Sequence, residues 1–473
     1  MKKIKGTIPG NTNRIATVLA FLAAYGFFQF AYPYHLMRRE QMTLFLYDWD
    51  YIRQTYKGIG WLVRLVSDFL QQFFHLPVVG PLVIASALTV IAVTVYRICS
   101  RYLSQRASLI IAAVCFIWSF LRETGNLYTT RYTLVVLGYL IAVSICLKFR
   151  KTWSKTTAAV LLAVFAVWSL GSPVHRHYGK LFSVPRIEYD RVIGLDDQVA
   201  REHWDKVLKL SRKDLYMTEA SYCYNLAQAM KDNLGQSLFD HSQNGTSTLL
   251  IRVGTDRTVF SNTLAGEAWF QLGCMTIAEQ SAIISLQASP DHTGARYILR
   301  LARVNLISGE YAAAQKYLSL LSKTLFYRRW ALSMMPGSQS EAVRAQLSLE
   351  HTKLAKTDFV HHSHEARAIL LGLLDANPRN MLARNYLLCY DLMNYNLDHF
   401  IEDYTPIRIK AHIYQEAVLI WLSQNDKLTQ QEAARYGVDA TVANRMQQFF
   451  RNPEKYPDTY WYYYLNALEE SDQ

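Results

Sequence analysis

The sequence is short of charge, of chain breakers and of cysteine. Only 19% of its 473 residues are charged and 51% are hydrophobic, which excludes a disordered chain. With 21 glycines and 12 prolines it is neither collagen-like nor of low complexity, and six cysteines are too few for a disulfide scaffold of this length. The shortage of acidic residues is local. Residues 1–180 hold five Asp and Glu against twenty Lys and Arg, a net +15, whereas the remainder is net −3. The overall +12 is thus confined to the N-terminal part, where basic residues alternate with apolar runs. A nucleic-acid surface would gather its cations on one face, so this distribution reads as membrane topology, with no nucleic-acid partner.

Five apolar runs approach the length needed to cross a hydrocarbon core of about 30 Å. They cover residues 15–34, 76–96, 107–121, 132–147 and 156–174, and predict a transmembrane domain over residues 1–180 with the lipid bilayer as its partner. The third and fourth are short, and need Arg106, Arg122 and Lys148 to snorkel. The first run ends in aromatic residues without a small-residue cleavage pattern, so it reads as an uncleaved signal anchor. Eleven Lys and Arg fall in the tail and loops of one side, among them Lys2, Arg97 and Lys151. Short-loop cations mark the cytoplasmic side, which places the N-terminus inside and everything after Val174 outside. Between the first two runs, residues 61–74 repeat Leu62, Leu65, Val66, Phe69 and Phe73 at helical spacing opposite Arg64, Asp68 and Gln71. That pattern is an amphipathic helix, lying in the outer interface or packed on the bundle.

From residue 185 to 473 apolar residues recur at helical spacing, with alternation only around residues 249–260. The expected fold class is all-α: a transmembrane helical bundle followed by a tetratricopeptide-like helical repeat domain. Gly273 and Gly309 are separated by one near-tetratricopeptide period, and each is followed five residues later by alanine, Ala278 and Ala314. Pro290 closes the first copy, and Ala366 with Pro378 repeats its end. A small residue lets two helices cross closely, and proline halts the second. Residues 235–256 read as an insertion between helix pairs, and the Tyr- and Trp-rich tail at 456–465 as packing against the last repeat.

Several segments resemble an uncharacterised family of bacterial integral-membrane proteins. They are Tyr32-Pro-Tyr-His-Leu, Glu40-Gln-Met, Leu44-Phe-Leu, Gly309-Glu-Tyr and Lys323-Thr-Leu-Phe-Tyr-Arg-Arg-Trp-Ala331. The resemblance implies an inner-membrane location with a periplasmic helical-repeat domain, and lends no catalytic residues.

Candidate chemistry is sparse. Cys99, Cys115, Cys146, Cys223, Cys274 and Cys389 are scattered and read as small buried apolar residues. His361, His362 and His364 lack a completing carboxylate or cysteine at ligand spacing, so no metal and no cofactor is expected. His175 and His177 read as interfacial. Glu40, Asp48 and Asp50, in the first outer loop, could serve as base or metal ligand, and Arg38, Arg39 and Arg53 could equally neutralise them. Two functions are therefore expected in competition. One is a periplasmic scaffold that grips a protein or peptide on the concave face of its repeats, in envelope biogenesis or assembly. The other is a membrane-embedded transferase acting on a lipid-linked substrate.

Overall fold

A computed structural model describes residues 11–58, 60–125, 130–148, 156–157, 160, 184–354, 365–404 and 410–471. Every regular element among them is a helix. The alternating stretch near residue 250 forms no strand; it is irregular up to Thr258, whose hydroxyl caps the helix that follows by accepting from Ser261 N–H at 3.1 Å.

The chain forms two compact units. The first comprises Met1–Asp190, Thr293–Arg296 and Leu320–Arg329; the second comprises Arg191–His292, Tyr297–Ser319 and Trp330–Gln473.

The first unit contains α1 (Asn11–Gly26), α2 (Pro33–Gln41), α3 (Trp49–Thr55), α4 (Trp61–Gln71), α5 (Val79–Cys99), α6 (Gln105–Glu123) and α7 (Thr130–Cys146). Three stretches are long and apolar enough to cross a membrane: Arg14–Ala31, Val79–Cys99 and Gln105–Glu123. The first is α1 extended by a wider turn over Phe27–Ala31. The helix at the fourth expected span, α7, has 17 residues and falls short of that length; the fifth expected span lies outside the described residues. Phe28, Leu36, Phe74, Ile84 and Leu88 form one buried cluster, and Ile91, Val95, Ala112, Tyr132 and Val136 another. The opposite sides of these helices expose Leu19, Leu22, Val90, Ile110, Val114 and Ile117.

The amphipathic segment is helical where expected, as α4 and a short 3-10 turn over Gln72–His75. Its faces are inverted relative to a water-soluble helix. Ser67, Asp68 and Gln71 are buried, whereas Trp61, Leu62, Val66 and Phe69 are exposed. The buried side is satisfied by polar partners: Asp68 accepts from Tyr56 Oη at 3.1 Å and from Arg131 Nη2 at 3.0 Å.

Helix Val259–Leu272 turns at Gly273 into Met275–Ala288, and Ala295–Ser308 turns at Gly309 into Tyr311–Leu321. The starts of both helices and the turn glycine each recur 36 residues later. Both glycines have positive φ, +91° and +82°, and both turns close in the same way. Gly273 N–H bonds to Phe270 O and Cys274 N–H to Trp269 O; Gly309 N–H bonds to Leu306 O and Glu310 N–H to Asn305 O. At these φ values glycine avoids the Cβ strain that other residues meet. The first pair packs closely because Gly266 faces Ser281, where a Cβ would lie 2.3 Å from the hydroxyl oxygen.

Ala278 is fully buried against Phe270, Val304 and Ile307, and Ala314 is fully buried too. Pro290 follows the end of the second helix by two residues, as Pro378 follows Ala366–Ala376, in which Ala366 is buried. The Ala278→Phe substitution should overpack this crossing and cost about 1–3 kcal/mol. Thermal unfolding of the full chain in detergent checks this; an unchanged Tm would remove Ala278 from a close crossing.

No two of the six cysteines are joined in a disulfide, and Cys223, Cys274 and Cys389 are buried. Burial raises the Cys389 thiol to about 12, so it stays protonated and behaves as a small apolar side chain.

Candidate functional site

The three outer-loop carboxylates occupy three different environments. Pro33, at the first turn of α2, supplies a preset φ, and Asp190 caps that end by accepting from Tyr34 N–H at 3.3 Å and His35 N–H at 2.7 Å. One helix length later, Glu40 is buried with 4% exposure. Tyr327 Oη lies 2.9 and 3.0 Å from its two carboxylate oxygens, and His75 Nδ1 stands 3.7 Å away. His75 is itself stacked on Phe326, with ring centroids 4.7 Å apart.

Asp48 does structural work of a different kind. Its carboxylate accepts from Tyr51 N–H at 3.0 Å, capping α3, and pairs with Lys323 Nζ at 2.6 Å. The Lys323 hydrogen bond, with the help of the Tyr51 N–H, holds the Asp48 carboxyl below its usual range. Asp50 stands exposed in the first turn of α3, where a negative charge suits the helix dipole. The structure thus brings Glu40 and Asp48 to one segment, residues 323–327, and leaves Asp50 apart.

The expected arginine neutralisation takes another form. Lys323 is the cation on Asp48, Arg53 lies over the Trp49 ring, and Arg39 forms a buried ion pair with Glu123 at 2.5 Å. Glu123 also takes the Thr133 hydroxyl, and its backbone carbonyl accepts from Arg39 Nη2 at 2.7 Å. His35 Nε2 lies 3.1 Å from that same carbonyl, which can only accept, so this nitrogen carries a proton. Burial, and then the Arg39 charge, push the His35 ring well below its ordinary value, so it stays neutral. No spacing rule pointed to Glu123, Lys323 or Tyr327; Lys323 and Tyr327 lay in a resemblance segment, which meets the Glu40 segment here, and Glu123 lay in none. Tyr47 N–H bonds Lys323 O at 2.7 Å, and Ala295 N–H bonds Thr43 O at 3.1 Å.

The space beside Glu40, bounded by Thr43, Gln72, Thr324 and Phe326, is about 20 Å³. Among the described residues that is room for about one water. Among the described residues no three His, Cys, Asp or Glu side chains gather as metal ligands. His175, His177, His361, His362 and His364 lie outside the described residues. The group around Glu40 can therefore hold a charge, orient a tyrosine hydroxyl and tie distant segments together.

No curated protein and no solved structure matches the chain. A family pattern does match it, over residues 10–176 and 173–467, which together cover most of its length. The chain belongs to the family of unknown function DUF6057.

Proposed function

We propose that the chain is an integral inner-membrane protein whose residues 185–473 form a tetratricopeptide-like scaffold, facing the periplasm and gripping a protein or peptide partner in envelope assembly. The observation that carries this reading is the 36-residue recurrence of helix, left-handed glycine and helix, with alanine buried five residues after each glycine. Stacked helix pairs of that kind present extended surfaces suited to peptides and partner proteins. The apolar exterior of α1, α5 and α6 supports the membrane part, since leaving Leu19, Ile110 and Val114 in water would be costly. A transferase needs a cavity for a lipid-linked donor at its carboxylate, and the 20 Å³ beside Glu40 argues against one.

A reporter active only in the cytoplasm, fused after Gln473, should be silent, and one active only outside it should work. The reverse pattern would remove the orientation. In a complementation assay on a deletion strain, Glu40→Gln should function, because the amide keeps an acceptor for Tyr327, and truncation before Pro185 should not. Loss of function in Glu40→Gln, in protein inserted at normal level, would favour the transferase instead.

A further inference from the structure

The insertion at residues 235–256 and the aromatic tail at 456–465 meet in the second unit around an open cleft of about 540 Å³. Part of the tail packs as expected, since Tyr460 and Trp461 are buried. Tyr462 and Tyr463 instead line the cleft, with Phe239 and Tyr395. These rings form a wall. Tyr463 is stacked on Tyr395, with centroids 5.2 Å apart and planes 17° apart, and lies 4.7 Å from Phe239.

Tyr395 is an unusual residue for its place. Its N–H bonds to Leu392 O and the next N–H, of Asn396, to Asp391 O, the same helix-ending turn that Gly273 and Gly309 make. Its φ is +57°. Among the described residues other helix-ending turns of this kind carry glycine or an acidic side chain, as at Glu202, Asp232 and Asp426. A bulky aromatic ring there opposes the backbone preference. It stacks on Tyr463 and meets Tyr464 edge-on at 6.0 Å, and 41% of the residue stays exposed at the border of the cleft.

The opposite wall is polar. Gln243 fixes the loop from inside, its Oε1 accepting from Asn225 Nδ2 at 3.0 Å and Thr248 Oγ1 at 2.6 Å. That anchoring leaves Asp240 and Asn244 on the rim, exposed, with Asn466 across from them. The second rim carboxylate, Asp458, is paired with Arg445 at 2.8 Å, and Arg212 acts on Asp240, so the cleft carries little net charge. An aromatic wall opposite an exposed carboxylate acceptor and two rim amides, of which Asn244 Nδ2 reaches Tyr216 O only at 3.5 Å, fits a neutral polyol better than a polycation.

We propose that this cleft is a carbohydrate site, which lays the C–H face of a sugar ring against the Tyr395–Tyr463 wall and bonds its hydroxyls through Asp240, Asn244 and Asn466. The site does not depend on the membrane orientation proposed above.

The test is calorimetric titration of the full chain, in a detergent without a sugar headgroup, with cellotetraose, maltotetraose and chitotetraose, and with tetralysine as the charged competitor. At least one oligosaccharide should bind saturably at about 1 mM or tighter. Tyr395→Gly should weaken that binding at least about tenfold while keeping or raising Tm, since glycine suits the left-handed turn. Asp240→Ala, at an exposed position, should weaken it comparably and serves if the glycine variant fails to fold. Saturable binding of none of the three sugars, binding of tetralysine in their place, or sugar affinity unchanged in both variants would overturn the proposal.

Discussion

Glu416→Gln should stabilise the protein at neutral pH. Glu416 sits inside helix His412–Gln424 with 1% exposure, its carboxylate accepting Tyr460 N–H at 2.7 Å and lying 3.8 Å from Arg445. Burial outweighs the Tyr460 hydrogen bond and the Arg445 charge and raises its pKa to about 8. The folded protein therefore keeps a proton that the unfolded chain releases near 4.5. Between those values the native state binds more protons than the unfolded one, so stability falls as pH rises through this window. Glutamine retains the acceptor for Tyr460 and removes the ionisation available to the unfolded chain. The expected gain at pH 7 is about 2 kcal/mol, or roughly 4–8 °C in Tm for a unit of this size. At pH 4, below both values, the side chain is mostly protonated in the folded and the unfolded chain alike, and the substitution should be nearly neutral. Melting curves at pH 4, 6 and 8 decide it: a destabilised variant, or a wild-type Tm that climbs from pH 5 to 8 with this side chain intact and flattens without it, would reverse the sign.

Arg39→Met should be among the most damaging single changes in the first unit. Arg39 and Glu123 are 6% and 0% exposed and form a short charge-assisted pair. Removing one partner leaves the other charge buried, at a cost of about 3–5 kcal/mol, whereas removing both replaces a charged pair by uncharged side chains. The double variant Arg39→Met with Glu123→Gln should therefore be more stable than either single one. Thermal unfolding in detergent micelles measures all three. Costs that simply add would show that the pair is not coupled.

Local rules reached the helix ends and missed the long-range pairs. The left-handed turns at Gly273 and Gly309 and the stop after Ala376 were legible because a single residue type decides each of them. The stretches at Arg14–Ala31, Val79–Cys99 and Gln105–Glu123 were legible because length and hydropathy suffice. The partner of Glu40 was not, since Tyr327 is 287 residues away and no periodicity links the two. The inverted burial of α4 escaped as well: the pattern shows two faces, and the partners that draw Asp68 inward, Tyr56 and Arg131, are 12 and 63 residues away. Tyr395 escaped for a further reason, because a turn that usually advertises itself by glycine was occupied by an aromatic residue.

The return of residues 320–329 to the first unit orders events during synthesis. Glu40 and Asp48 leave the ribosome long before Tyr327 and Lys323, the latter 275 residues behind Asp48. At ordinary elongation rates that delay is roughly a quarter of a minute to a minute. During it the early helices stand without the hydroxyl and ammonium groups that later seal their carboxylates. The N-terminal unit is thus the first to be translated and among the last to be finished, and a stalled or truncated nascent chain would expose an incomplete polar cluster to quality control.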